Sequence, residues 1–253
     1  NRQSKLFSVG DEAAIFPCVM AWAATMLKKF GHEVLWFDGQ IDQSWNRLRA
    51  FQPDVLFWEA KTPSIKATWA AVNTVKAWWP HCKVVLCGDH VTALPQETLQ
   101  NSLTDIIVTG GDYDSGILRL VRHWDRTLPD AAIGTQTRFV FVNPTDVSLT
   151  DLPLIDRELC HWKDYSRMGN YLYRPGTHGY SARDCWWRHE GGCTFCSWTN
   201  TFKNYRQLSV DQFMADVESA YALGAREYFD DAGTWAPPSR WFDETIQRLQ
   251  HFN

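Results

Sequence analysis

The stretch "PDVLFWEAKTPSIKATWAAVNTVKAWWPHCKVVLCG", residues 53–88, decides the fold. "PDVLFWEA" is nearly continuous in apolar residues, as a strand buried on both faces of a parallel sheet should be. "IKATWAAVNTVKAWWP" repeats apolar residues at helical spacing and stops at Pro80. "CKVVLCG" is a second short apolar run. Strand, helix and strand in that order form a crossover unit, which places the two strands parallel.

Outward from this unit the alternation continues. Towards the N-terminus, "FPCVMAWAATMLKKF" (16–30) predicts a helix stopped by Gly31, "HEVLWFDG" a strand ending at Asp38, and "WNRLRAF" a short helix. Towards the C-terminus, "LPQETLQNS" predicts a short helix, "TDIIVTGG" a strand and "SGILRLVRHW" a helix. The expected architecture is α/β, a doubly wound parallel sheet. Ligands of such sheets sit at the carboxyl ends of the strands, here the loops 38–40, 59–64, 87–91 and 109–114. Gly88, Gly110 and Gly111 permit close approach of a ligand there, and serve equally well as ordinary strand-end turns. "GGDYD" is not a dinucleotide fingerprint, because no G-x-G-x-x-G follows a strand.

Residues 126–176 change character. Pro129, Pro144, Pro153 and Pro175 punctuate short segments, with one strand candidate at "TRFVFVN". The expected division is therefore a first domain over 1–125, a connector over 126–175 and a second domain over 176–253. In the last, "THGYSA" predicts a short strand and "SVDQFMADVESAYALG" a helix with Ser209 as cap and Gly224 as stop. "AREYFDD" predicts a strand, and "PPSRWFDETIQRLQHF" a helix with its prolines in the first turn.

Composition limits the function. The chain is 45% hydrophobic and 21% charged, which suits folded cores and excludes a disordered class. A net charge of −4 without a basic run argues against a nucleic-acid surface. No apolar stretch reaches the ~18–20 residues of a membrane span. Seven cysteines at irregular spacing do not form a disulfide framework, so a reducing cytoplasm is expected.

Three of those cysteines carry the chemistry. "SARDCWWRHEGGCTFCSWTN" (181–200) sets Cys185, Cys193 and Cys196 at C-x7-C-x2-C, among Trp186, Trp187, Phe195 and Trp198. A four-iron cluster takes four ligands, and three from the protein would leave one iron open to a small molecule. Zinc is the competitor: Cys185, His189, Cys193 and Cys196 would make a closed Cys3His site. Spacing alone leaves both open. Core filling is the weakest account of three cysteines so close together.

"GYSARDC", "GGCTFCSW", "YRQLSVDQFMADVE" and "YFDDAGTW" together resemble the radical S-adenosylmethionine enzymes, and more narrowly those with an N-terminal cobalamin-binding domain. "LKKFGHEVLWFDG", "PDVLFWEAKTPSI", "KVVLCGDHVTALPQETL" and "TDIIVTGGDYDSGILRL" resemble that family's cobalamin domain. The resemblance implies a Rossmann-like cobalamin domain followed by the start of a partial (β/α)6 barrel. It implies that Cys185, Cys193 and Cys196 ligate a [4Fe-4S] cluster whose open iron chelates S-adenosylmethionine. Phe195 would lie near the adenine, and Asp230 and Asp231 near the methionyl ammonium, although both aspartates equally suit capping of the following helix. Arg183 and Arg206 would neutralise charge there, or form ordinary ion pairs. Thr62, Ser64, Gly88, His90, Gly110 and Gly111 are the implied cobalamin contacts.

The implied activity is methyl transfer to an unactivated carbon of a small-molecule or peptide substrate through a 5′-deoxyadenosyl radical. A low-potential flavodoxin or ferredoxin would supply electrons. Radical cyclisation, coupling or oxidation on the same scaffold, and a non-catalytic zinc-stabilised binding protein, are the alternatives. The sequence departs from the family in three places. The commonest first gap is C-x3-C, so "WWRHEGG" is expected to loop out, which costs little entropy. "GDHVTAL" sets Asp89 beside His90 without the D-x-H-x-x-G pattern, so His90 is not expected to ligate cobalt. Finally, little of a first strand fits before "FSVGDEAAIFP", and the barrel stops after its second strand, as in a piece of a longer protein.

Overall fold

The computed structural model describes residues 14–39, 41–42, 44–127, 138–143, 147–168, 171–196 and 201–250. The first strand expected ahead of "FSVGDEAAIFP" and Trp198 of the cysteine stretch lie outside them. The chain forms two compact units, one of Met26–Val147 and one of Asn1–Thr25 with Ser148–Asn253. Their boundary falls inside the first helix, α1 (Cys18–Lys29).

The Met26–Val147 unit is built on a four-stranded parallel sheet in the order β1-β2-β3-β4: β1 (Val55–Glu59), β2 (Lys83–Cys87), β3 (Ile106–Thr109) and β4 (Phe139–Val142). Helix α2 (Asn46–Phe51) precedes the sheet and α3 (Ile65–Trp78) connects β1 to β2. Helices α4 (Asp89–Ala93) and α5 (Pro95–Asn101) connect β2 to β3, and α6 (Tyr113–Trp124) follows β3. Val72 and Val75 of α3 and Val91 of α4 pack with Val84, Leu86 and Ile107 on one sheet face. These side chains are wholly buried, and each contributes ~1.5–3 kcal/mol of transfer free energy. Helix α6 lies on the other face, where Arg119 stands 5.0 Å over the ring of Phe141. Helices thus cover both faces, as expected, while the order of the described strands runs without reversal.

Two expectations are corrected here. "HEVLWFDG" is half-buried along 34–38 but pairs with no described strand. An apolar run reports burial, whereas a strand also needs a neighbouring ladder. β1, read as an interior strand, is half-buried throughout and stands at the edge of the described sheet. "TRFVFVN", the strand candidate of the stretch 126–176, forms β4, where Phe139 and Phe141 bury against the sheet in register with Ile106 and Val108.

The other unit holds α7 (Trp162–Met168) and a parallel pair, β5 (Gly176–Gly179) with β8 (Glu227–Asp230). Between them, β6 (Ala182–Arg183) and β7 (Arg206–Gln207) form a short antiparallel pair. Helix α8 (Val210–Ala222) begins with a capping box, in which Ser209 accepts from the Gln212 amide and the Gln212 side chain accepts from the Ser209 amide. Its Phe213, Met214 and Val217 form a core with Leu149 and Leu208. Helix α9 (Arg240–Leu249) is capped by Ser239, so Pro237 and Pro238 precede the helix instead of opening it; a free hydroxyl cap satisfies the first amides better than a second proline. Residues 148–175 also pack in this unit, and so does the start of α1. The Trp22 indole donates to Pro153 O at 2.9 Å, and Thr25 Oγ1 accepts from the Asp156 amide at 2.9 Å.

Arg157 anchors the unit. Its side chain is completely buried, and it forms a two-pronged pair with Asp216 at 2.8 and 2.7 Å while donating to His178 O at 3.2 Å. The Tyr228 hydroxyl donates to the same Asp216 at 2.7 Å. β5 therefore rests on a fully desolvated charge pair reached from α8 and from the segment before α7.

Candidate functional site

The cysteine loop leaves β6 through Asp184, a buried non-glycine residue at φ 70° that turns the chain out of the strand. Cys185 follows, and residues 186–190 form a turn of 3-10 helix. Five of the seven residues between the first two cysteines thus form an ordered turn. The Arg188 guanidinium pairs with Asp184 and donates to Phe202 O at 2.8 Å, tying both ends of the turn down. A second turn closes between Cys193 O and the Cys196 amide at 3.1 Å. All three thiols are half-buried and form no disulfide. The Asp184 carboxylate, helped by Cys185 and Cys196, raises the Arg188 pKa above its ordinary value, so both thiols lie within electrostatic reach of that cation.

No group of three His, Cys, Asp or Glu side chains among the described residues stands close enough to hold a metal ion in this conformation. The donor set nonetheless has the chemistry of an iron–sulfur loop, with three accessible thiols, a cation beside two of them and a turn between the last two. His189, the fourth ligand of the zinc alternative, points from the exposed face of the 3-10 turn. Phe195 is 89% exposed, so little of its ring packs against the described residues.

Asp230 ends β8 beside this loop. It accepts from the Ser181 amide and hydroxyl and from the Ala232 amide, while burial raises its pKa against the lowering effect of those bonds. Asp231 accepts from the Tyr180 hydroxyl at 3.2 Å. Neither carboxylate caps α9, whose cap is Ser239. The Trp186 indole donates to Trp235 O at 2.9 Å, joining the cysteine loop to the loop after β8. Arg183 is buried on β6 with its guanidinium 5.1 Å from the Trp22 ring, and Arg206 is its partner on β7.

At the carboxyl ends of β1–β3 the structure places a charged network that sequence reading missed. Lys61 Nζ bridges Glu59 Oε1 at 2.7 Å and Asp89 Oδ2 at 3.1 Å, and the Tyr113 hydroxyl donates to Glu59 at 2.8 Å. Burial alone would raise the Glu59 pKa; the Lys61 charge and the bonds from Lys61 and Tyr113 outweigh it and lower the pKa. Thr62 is exposed and Ser64 half-exposed next to the network, and Gly110 is half-exposed beyond β3. Gly111 is buried. Gly88 has φ 104°, and a Cβ there would stand 2.9 Å from Ala60 O, so the strand crossing alone requires glycine.

His90 is only 5% exposed and belongs to α4 rather than to an open loop. Its Nδ1 pairs with Thr62 Oγ1 at 3.2 Å and its ring stacks edge-on to Trp69. Nε2 lies 3.3 Å from Glu97 Oε2, at an angle that makes no hydrogen bond. His90 thus packs within its own unit, against Thr62 and Trp69.

The two units together make an α/β scaffold in which a parallel-sheet unit accompanies a strand–cysteine loop–helix–strand unit. Among solved structures the chain is similar to the radical S-adenosylmethionine methyltransferase TsrM from Kitasatospora setae. With tryptophan substrate and the analogue aza-SAM bound, that enzyme aligns at a TM-score of 0.68 and 13% identity over 95% of this chain and 49% of its own. Its structure with cobalamin and a [4Fe-4S] cluster bound gives a TM-score of 0.64 at the same identity and coverage. The chain thus spans about half the length of that enzyme, and the likeness is one of fold. No family model matches the chain, and no curated protein matches it in sequence. Among the described residues no helix is long and apolar enough to cross a membrane.

Proposed function

We propose that the chain is the cobalamin-binding and cluster-binding part of a radical S-adenosylmethionine methyltransferase. One observation carries this reading: three accessible thiols occupy the loop between β6 and β7, on a fold similar to TsrM over both units. Cys185, Cys193 and Cys196 would hold the cluster, with Arg188 offsetting part of the thiolate charge. Phe195 would offer its bare ring to the adenine, and Asp230 and Asp231, at the carboxyl end of β8, would accept from the methionyl ammonium. Thr62, Ser64 and the Gly110–Gly111 turn would line the corrin edge, with cobalt taking no histidine from this chain. One-electron cleavage of S-adenosylmethionine and carriage of a methyl group are what the cluster and cobalamin would supply.

The substrate is a small molecule or peptide, and a low-potential flavodoxin or ferredoxin supplies the electrons; a reducing cytoplasm suits both the donor and the seven thiols. The test is anaerobic reconstitution of the full-length protein with iron, sulfide, zinc and cobalt measured together. About four irons per chain and one corrinoid are expected. Alanine at any one of the three cysteines should remove the iron while leaving the corrinoid bound. One equivalent of zinc without iron, lost again in His189→Ala, would refute the reading. Turnover that yields a cyclised or oxidised product without a new methyl group would keep the scaffold and replace the reaction.

A further inference from the structure

The register of β5 with β8 sets Thr177 beside Tyr228 and His178 beside Phe229. Side chains alternate along a strand, so these two pairs lie on opposite faces. Tyr228 faces α8, where its ring meets Phe213 and its hydroxyl donates to Asp216. His178 and Phe229 project from the other face, with ring centroids 5.2 Å apart. On that face Gly176 has no side chain, and the Tyr171 ring lies directly over it. The Tyr171 hydroxyl is thereby held 2.5 Å from His178 Nδ1. This buried hydroxyl has no second partner among the described residues. If it accepted from Nδ1, its own proton would be left without an acceptor, so it donates, and the imidazole hydrogen sits on Nε2. Burial lowers the His178 pKa to about 4, so the ring is uncharged at neutral pH. Nε2 is the outer end of the ring and has no partner among the described residues. His178 is only 7% exposed, yet Nε2 is not one of the unpartnered atoms sealed from solvent. Beside it the Phe229 ring is 49% exposed. A fixed donor thus stands next to an open aromatic surface.

We propose that His178 and Phe229 form a substrate contact, in which Nε2–H donates to an uncharged carbonyl oxygen of a planar molecule lying against the Phe229 ring. Tyr171 is a positioning residue, because its bond to Nδ1 keeps the hydrogen on Nε2 and the ring in place. The assignment rests on the functional reading above, which supplies the substrate. The surroundings favour an uncharged acceptor. Glu227 and Asp231 both act on Tyr171 and would repel an anion, while Arg157, which opposes them, is already paired with Asp216.

The experiment uses iron-free full-length protein carrying nitrogen-15 histidine, with benzamide as the probe. The His178 resonances are assigned by their loss in His178→Gln. At neutral pH they should report one tautomer, with Nε2 protonated. Benzamide should shift the Nε2 resonance saturably. Toluene, a ring without an acceptor, should not shift it, and benzoate should bind more weakly than benzamide. Tyr171→Phe should move the Nδ1 resonance to that of an unbonded nitrogen and weaken the response to benzamide. His178→Phe, which keeps a ring but removes the donor, should lower benzamide affinity by about threefold to tenfold. If that variant does not fold, the parent spectra decide. A hydrogen found on Nδ1, an Nε2 resonance that benzamide leaves unmoved, or an equal response to toluene would each overturn the inference. All three are read without iron, so they leave the cluster reading to its own test by metal analysis. A protein that binds benzamide through Nε2 yet takes up no iron on reconstitution keeps the donor and overturns the cluster reading.

Discussion

His178 gives the sharpest test of the second unit. It sits on β5, is 7% exposed, pairs through Nδ1 with the Tyr171 hydroxyl at 2.5 Å and packs against the Phe229 ring. Burial lowers its pKa to about 4 from an ordinary value of 6.5. The native state therefore resists a proton that the unfolded chain accepts. Stability is complete above about pH 6.5 and is lost as pH falls towards about 4, because there the unfolded state binds more protons. From the two pKa values, the loss due to this residue is about 2 kcal/mol at about pH 5 and about 3 kcal/mol at its limit. Other groups titrate in the same range, and Asp230, whose pKa is raised, works in the opposite direction. The assay is consequently a difference: urea unfolding of the parent and of His178→Gln at about pH 7 and about pH 5. Glutamine keeps a polar partner for Tyr171 and does not titrate. The parent should lose about 2 kcal/mol more than the variant between those two pH values. Equal losses would mean that the imidazole is not desolvated as the structure places it, and the account of β5 would fail with it.

Two further outcomes follow from the packing. Asp216→Asn leaves the wholly buried Arg157 charge without its counter-ion and should cost about 3–5 kcal/mol, a melting temperature lower by about 6–20 °C; a loss below about 1 kcal/mol would refute the anchoring role. Gly88→Ala drives a Cβ against Ala60 O at φ 104° and should cost about 1–3 kcal/mol in thermal unfolding, whether or not corrinoid is present. If the melting temperature is unchanged and only corrinoid affinity falls, that glycine serves the ligand rather than the strand crossing.

The parts legible in the sequence are those set by local pattern. β2 and α3 follow from an unbroken apolar run and a helical repeat, and Ser209 and Gln212 announce α8 by their spacing alone. The cysteine loop was legible as donor chemistry, since no core needs three thiols there. What escaped is what distant residues decide. Residues 32–38 carry a strand's composition without a strand's neighbour among the described residues. β4 was legible as a strand candidate, but its place beside β3 in the parallel sheet was not. Glu59, Lys61, Asp89 and Tyr113 sit in separate strand-end loops, and only the sheet register brings their charges together. The absence of a cobalt-ligand pattern around His90 was visible, whereas its burial beneath Trp69 was not.

β5 reads "GTHG", a poor strand by composition. A Cβ on Gly176 would meet the Tyr171 ring at 2.3 Å, and one on Gly179 would meet the Tyr228 hydroxyl at 1.7 Å. Both tyrosines lie flush on naked main chain, so the peptide is moulded by aromatic plates above and below it and has little inclination of its own to extend. Its shape is borrowed, and trimming either plate to alanine should leave it slack even though every atom of the ribbon remains.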